Sequence, residues 1–191
     1  MKRRRLLISV MAALAATACR PVQGSQADAV RIGGSFTLVG VDGRPVTERD
    51  LLGKPTAIFF GFTFCPEVCP TTLAVMSQAL KDLGPDAARV NVVFVSVDPE
   101  RDTPDRMKLY LSNFDPRIRG LTGSLAQVDA AAKAYRVYHQ KVATPGGYTV
   151  DHSSAVYLFD RKGTFVEPIR YGASADEIVA RILPLVGKAP A

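Results

Sequence analysis

The chain contains no tryptophan, only two histidines and only three cysteines in 191 residues. The first absence excludes any redox motif built on tryptophan beside a reactive cysteine. The scarcity of cysteine and histidine weighs against a closed structural zinc site, which takes four ligands. The N-terminal apolar run, Leu6 to Ala18, has 13 residues, short of the roughly 20 that span a bilayer. Beyond the N-terminus no stretch clusters Lys and Arg with interleaved aromatics, which excludes the usual nucleic-acid surfaces. No internal repeat is visible.

What is present starts with a short basic head, Met1-Lys2-Arg3-Arg4-Arg5, ahead of that apolar run. The pattern reads as a signal peptide over 1–18. Ala16-Thr17-Ala18 fits the small-x-small cleavage rule and is followed by Cys19. This junction resembles a bacterial lipoprotein signal, in which that cysteine receives lipid. Ala16 stands where such signals usually carry leucine, so ordinary cleavage and retention as an anchor stay open. Either way the expectation is an exported bacterial protein on the periplasmic side of the membrane. Removal of 1–18 takes away four cationic side chains and lowers the formal charge from +6 to +2. The basic balance therefore belongs largely to targeting. Residues 19–33, small and polar, read as a flexible tether. One domain is expected over 34–187, with 188–191 as a tail, and it is large enough to bury a real core.

Within that domain, apolar runs and punctuation alternate. Phe36 to Val39 and the turn Val41-Asp42-Gly43-Arg44 predict an opening hairpin. Thr56 to Phe62 and Val90 to Val97 are continuous apolar runs, as strands buried on both faces require. Pro70 to Leu83 reads as a helix with a Leu73, Met76, Leu80, Leu83 stripe, stopped by Gly84-Pro85. Thr103-Pro104-Asp105 starts a second helix through Asn113, and Ser124 caps a third running to about Tyr135. Tyr135 to Val142, Ala155 to Phe159 and Thr164 to Tyr171 read as strands, and Ser174 with Glu177 opens a closing helix. The predicted fold class is α/β, thioredoxin-like in order: a central mixed β-sheet flanked by helices, with an N-terminal β-hairpin extension.

Cys65 and Cys69 lie between the first central strand and the first helix, in Phe64-Cys65-Pro66-Glu67-Val68-Cys69-Pro70. Ligands collect at the carboxyl ends of strands in open α/β sheets. The helix N-terminus, with a dipole equivalent to about half a charge, favours thiolates there. Four residues apart on a helical turn, both sulfurs can point the same way. They can then share one ion, act as a redox pair or form a structural disulfide. So small a disulfide loop would constrain the unfolded chain little. A site with two or three soft ligands suits Cu(I).

Three motifs, Gly61-Phe62-Thr63-Phe64-Cys65-Pro66-Glu67-Val68-Cys69-Pro70, Phe94 through Val97-Asp98-Pro99-Glu100-Arg101-Asp102-Thr103-Pro104, and Asp151-His152-Ser153-Ser154, occur in this order. Together they resemble the Sco/SenC family of copper proteins over roughly Gly34 to Leu185. The resemblance implies a membrane-held thioredoxin-like domain that binds one copper, Cu(I) or Cu(II), through Cys65, Cys69 and His152. It also implies a role in assembling the dinuclear copper centre of cytochrome c oxidase. The implied partners are the copper-bearing oxidase subunit and other periplasmic copper chaperones or thiol reductases.

His152 also has its own warrant: it follows the glycine-rich Thr144-Pro145-Gly146-Gly147 and precedes a strand, so it is expected on a loop that can approach the cysteines. His139 reads as a solvated or structural imidazole inside a strand. Asp98, closing the second central strand, can face the site and accept a hydrogen bond from a group there, or simply terminate the strand before Pro99. Asp151 reads as a solvated loop carboxylate, and Met76 as core despite its soft sulfur. Phe64 and Tyr148 flank the site and can shield it from water. Two functions follow. One is a metallochaperone, not an enzyme in the ordinary sense, that passes copper by ligand exchange. The other is a thiol-disulfide oxidoreductase that uses Cys65 and Cys69 on a partner's cysteines. Thioredoxin itself carries Trp-Cys-x-x-Cys, which this chain lacks, and its cysteines are separated by two residues instead of three.

Overall fold

The computed structural model describes residues 31–187. The expected leader over 1–18, Cys19, most of the tether and the tail over 188–191 lie outside the described residues. Arg31, Ile32 and Gly33, the end of the expected tether, already lie against the domain: the Gly33 amide donates to the Ala134 carbonyl at 3.0 Å.

The two apolar runs become the centre of the sheet. β3 (Thr56–Gly61) is buried at all six positions, and β4 (Asn91–Ser96) is buried at all but its first. They pair in parallel, Thr56 opposite Asn91 through Gly61 opposite Ser96. Side chains alternate across them: Ala57 and Phe59 face one core cluster, and Ile58 and Phe60 the other. Burial on both faces is why these runs lack the polar alternation of a one-sided strand. The full sheet has seven strands in the order β2-β1-β5-β4-β3-β8-β9. β1 (Thr37–Gly40) and β2 (Pro45–Thr47) form the opening hairpin, while β8 (Val156–Phe159) and β9 (Phe165–Ile169) form the closing one.

α1 (Val68–Asp82), α2 (Pro104–Leu111) and α4 (Ala175–Val186) cover one face through Leu73, Met76, Met107, Ile178 and Ile182. α3 (Leu125–Ala134) covers the other through Val128, Ala131 and Ala132. The caps are as the sequence indicates. The Thr103 side chain accepts from the Arg106 amide, and Ser124 and Ser174 each close a capping box with Gln127 and Glu177. The mixed sheet with helices on both faces is the thioredoxin-like fold. No helix among the described residues is long and apolar enough to cross a membrane.

Three readings are corrected. Gly120 to Thr122, given no element in the sequence reading, is the end of a central strand, β5 (Ile118–Thr122), parallel to β4. Gly120 hides it: a Cβ there would come within 2.6 Å of Leu111 Cδ1 and 2.9 Å of Val41 Cγ1, so close packing demands the residue that weakens a strand signal. The strand placed at Tyr135 to Val142 is β6 (His139–Thr144). α3 ends through Arg136, at φ 56° in the left-handed region, which delays the extended segment. The glycine-rich stretch is the turn of a hairpin in which β6 pairs with β7 (Gly147–His152), so His152 ends a strand instead of sitting on a loop. This two-stranded ribbon is separate from the seven-stranded sheet.

Candidate metal centre

β3 ends at Gly61, and the chain turns through Phe62 to Glu67 into α1, so Cys65 stands on the turn and Cys69 in the first helical turn. The Cys65 amide donates to the Phe62 carbonyl at 3.2 Å, and the Cys69 amide points at Cys65 Sγ at 3.4 Å. A helix-start N–H aimed at a sulfur is the arrangement that favours a thiolate. His152 arrives from the end of β7. Its Nε2 lies 3.6 Å from Cys69 Sγ, and its ligand atom and those of both cysteines all lie within 4.8 Å of one another. Cys69 is fully buried, whereas Cys65 and His152 are half-buried, so the group opens to solvent on their side.

The imidazole is oriented for coordination. His152 Nδ1 sits 2.9 Å from the Ser153 carbonyl, which can only accept, so the proton belongs on Nδ1 and Nε2 presents its lone pair toward the sulfurs. The rings of Phe59 and Phe62 meet the imidazole edge-on at centroid distances of 6.2 and 5.7 Å. These two rings, not Phe64 and Tyr148, wall the histidine.

Neither Cys65 nor Cys69 is in a disulfide. A hydrogen bond from the Cys69 thiol holds Cys65 down to about 4, and the same bond, reinforced by burial, pushes Cys69 up. At neutral pH the pair therefore keeps one proton, with Cys65 as thiolate. A cation bridging both sulfurs must displace the Cys69 proton. Two thiolates and a neutral imidazole form a soft donor set, which fits copper better than the hard cations.

The sequence reading missed the groups behind the cysteine turn. Asp102 is fully buried and accepts from the Thr63 amide at 3.0 Å, the Thr63 hydroxyl at 2.6 Å and the Ser96 hydroxyl at 2.7 Å. Burial raises its pKa, and those three donors oppose the rise. An acidic residue just before Thr-Pro looks like a solvated helix-start group, and only the approach of Thr63 in space reveals otherwise. Asp98 is also fully buried, but its carboxylate takes bonds from Arg101 and the Tyr148 hydroxyl instead of from a cysteine or His152. Gly61, which the sequence shows only as the first residue of the cysteine motif, is also held by the site: a Cβ there would lie 2.6 Å from Cys69 Sγ.

His139 starts β6 directly opposite His152 and lies 3.3 Å from Asp129, outside the ligand group. Asp151 is exposed, and Met76 is core. Phe64 is 46% exposed, and together with Tyr148 it sandwiches the Arg101 guanidinium, at 4.6 and 3.8 Å from the ring centroids.

The family model described as SCO1/SenC matches residues 24–187. The chain is 40% identical over 156 residues to the protein named SCO1 homolog 1, mitochondrial, of Arabidopsis thaliana, covering 81% of this chain and 46% of that one. It thus spans about half the length of that relative. The structure described as Bradyrhizobium japonicum ScoI with copper bound is 49% identical, with a TM-score of 0.77, covering 81% of this chain and 99% of that one. A second structure reports a disulfide switch in BsSco, described as a member of the Sco family of cytochrome c oxidase assembly proteins. It is 27% identical, with a TM-score of 0.66, covering 82% of this chain and 94% of that one. The chain belongs to the SCO1/SenC family.

Proposed function

We propose that this protein binds one copper ion through Cys65, Cys69 and His152 and serves assembly of the dinuclear copper centre of cytochrome c oxidase. The observation that carries the reading is the convergence of three soft donor atoms within 4.8 Å on the motif of a copper-binding family. Cys65, already a thiolate and half-buried, is the first point of capture. Cys69, buried beneath it, joins by losing its proton. Release runs the other way, as a partner's thiolates replace Cys65 first and the copper leaves by stepwise ligand exchange. In this reading residues 1–18 are a leader, Cys19 carries lipid, and the tether over 19–33 holds the domain on the periplasmic face of the membrane. The domain over 34–187 then meets the copper-bearing oxidase subunit in the periplasm, with other periplasmic copper chaperones or thiol reductases as further partners.

The low pKa of Cys65 also favours a second reading, thiol-disulfide exchange. There the Cys65 thiolate attacks a partner disulfide, Cys69 resolves the mixed disulfide, and the partner gains two electrons while Cys65 and Cys69 become a disulfide. One experiment separates the two. Copper-loaded protein is mixed with the reduced, copper-free oxidase subunit, and metal-free reduced protein with the oxidised subunit. Appearance of the dinuclear copper absorption in the first mixture supports delivery. Partner thiols appearing only in the second, with no copper transferred in the first, would replace delivery with reduction.

A further inference from the structure

The ribbon that carries His152 is not hydrogen-bonded into the main sheet. Strand pairing reaches only to Val156, which pairs with Phe59 on β3 four residues beyond His152, so the final placement of the imidazole relative to the cysteines depends on other contacts as well. One loop, between β4 and α2, touches both ligand-bearing segments. On one side its Asp102 carboxylate accepts two hydrogen bonds from Thr63, two residues before Cys65, at 3.0 and 2.6 Å. On the other side its Asp98 carboxylate accepts from the Tyr148 hydroxyl at 2.9 Å, and Arg101 Nη1 donates to the Tyr148 carbonyl at 2.9 Å. Tyr148 lies on β7, four residues before His152.

The two sides are tied together. The Ser96 hydroxyl donates to Asp102 at 2.7 Å, and its oxygen accepts the Asp98 amide at 3.0 Å. The Arg101 and Asp102 amides both bond to the Asp98 carbonyl, at 3.2 and 2.9 Å. Two carboxylates are thus fully buried within five residues. Stability does not call for this, because burying a carboxylate is expensive even when paired, and apolar side chains of similar size usually serve a core as well or better. What two buried, directional acceptors supply is a defined distance between the elements they hold.

We propose that the loop from Asp98 to Asp102 is a clamp that sets the separation of His152 from the cysteine pair, with Asp98 and Tyr148 as positioning residues for metal capture. Asp98 and Tyr148 act through His152; Asp102 acts through Thr63 and the cysteine turn. The proposal rests on the ligand set of the previous subsection. It adds that a hydroxyl remote from the metal governs how well the third ligand is presented.

Tyr148→Phe removes that hydroxyl and leaves the ring stacked on Arg101. The test measures Cu(I) affinity by chelator competition in wild type, Tyr148→Phe, His152→Ala and the double variant. Alongside, the His152 imidazole resonances and thermal midpoint are recorded for the metal-free proteins. The clamp predicts about a 10-fold affinity loss for Tyr148→Phe, no further loss when it is added to His152→Ala, and broadened imidazole signals with the midpoint nearly unchanged. Asp98→Asn should repeat the affinity loss and its absence in the His152→Ala background, but with a lowered midpoint, because it also breaks the buried pair with Arg101. Asp102→Asn should lower affinity in both backgrounds. An equal loss from Tyr148→Phe in both backgrounds, or no loss with His152 signals unaltered, overturns the clamp. Failure of the ligand set is seen separately, as His152→Ala alone binding copper like wild type.

Discussion

Replacing Gly61 with alanine adds one carbon where the structure has no room for it. Its Cβ would stand 2.6 Å from Cys69 Sγ and 2.8 Å from Phe94 Cε2, whereas comfortable contact needs about 3.5–4.0 Å. Something must therefore move by about 1 Å. Phe94 is fully buried in a central strand and packed on Phe59, at a centroid distance of 5.8 Å, so the sulfur yields first by rotating about its own Cα–Cβ bond. Overpacking of this kind destabilises by about 1–3 kcal/mol. Displacing one ligand atom out of reach of the other two weakens copper affinity about 10–100-fold, the range seen when a ligand's support is removed. The assay pairs thermal or urea unfolding of the reduced, metal-free protein with Cu(I) competition. Gly146→Ala, whose added carbon meets nothing within 4 Å, is the neutral control. In a Cys69→Ala background, which removes the sulfur, the stability loss from Gly61→Ala should shrink. Wild-type stability together with wild-type copper affinity in Gly61→Ala would refute the packing argument.

Alkylation of the metal-free protein by iodoacetamide, followed by mass spectrometry, should modify Cys65 well before Cys69. Its rate should be nearly independent of pH from about 5 to 8, because Cys65 is held down to about 4 while Cys69 is pushed up and buried; a Cys65 rate rising tenfold per pH unit across that range contradicts the assigned thiolate. Asp115, whose carboxylate accepts from the Arg117 amide at 2.9 Å and from its guanidinium at 2.8 and 2.7 Å, has its pKa lowered by that partner. A depressed folded-state value stabilises the protein above the unfolded carboxyl value of about 3.9, and this contribution fades as pH falls through the folded value. Asp115→Asn should therefore cost about 1–3 kcal/mol at pH 7 and progressively less in acid, and a pH-independent difference in urea unfolding would count against the ion pair.

Most of the architecture is legible because strong local signals agree with tertiary demands. β3 and β4 are unbroken apolar runs, and α2, α3 and α4 begin at side-chain caps that the structure uses. β5 escapes because Arg119 and Gly120 interrupt its apolar run, the glycine being required by Leu111 and Val41. β7 escapes because its partner β6 is almost wholly exposed, so the hairpin has little hydrophobic pattern to betray it. At the site, Cys65 and Cys69 can be read from their spacing at a strand-to-helix junction. His152 can be located only roughly, since its approach depends on a ribbon the sequence disguises as a loop. Asp102, Thr63 and Gly61 carry no local mark, because each matters through a neighbour distant in sequence. Asp98 looks like a group facing the ligands, yet its bonds run to Arg101 and Tyr148 on the histidine side.

In the proposed function Cys65, Cys69 and His152 form one copper site. Its most direct test compares copper stoichiometry and the Cu(II)–thiolate absorption of reduced wild type and His152→Ala. Tight one-to-one binding with an intense sulfur-to-copper band in wild type, and loss of both in the variant, is the predicted result. Unchanged stoichiometry, affinity and absorption in His152→Ala would contradict it.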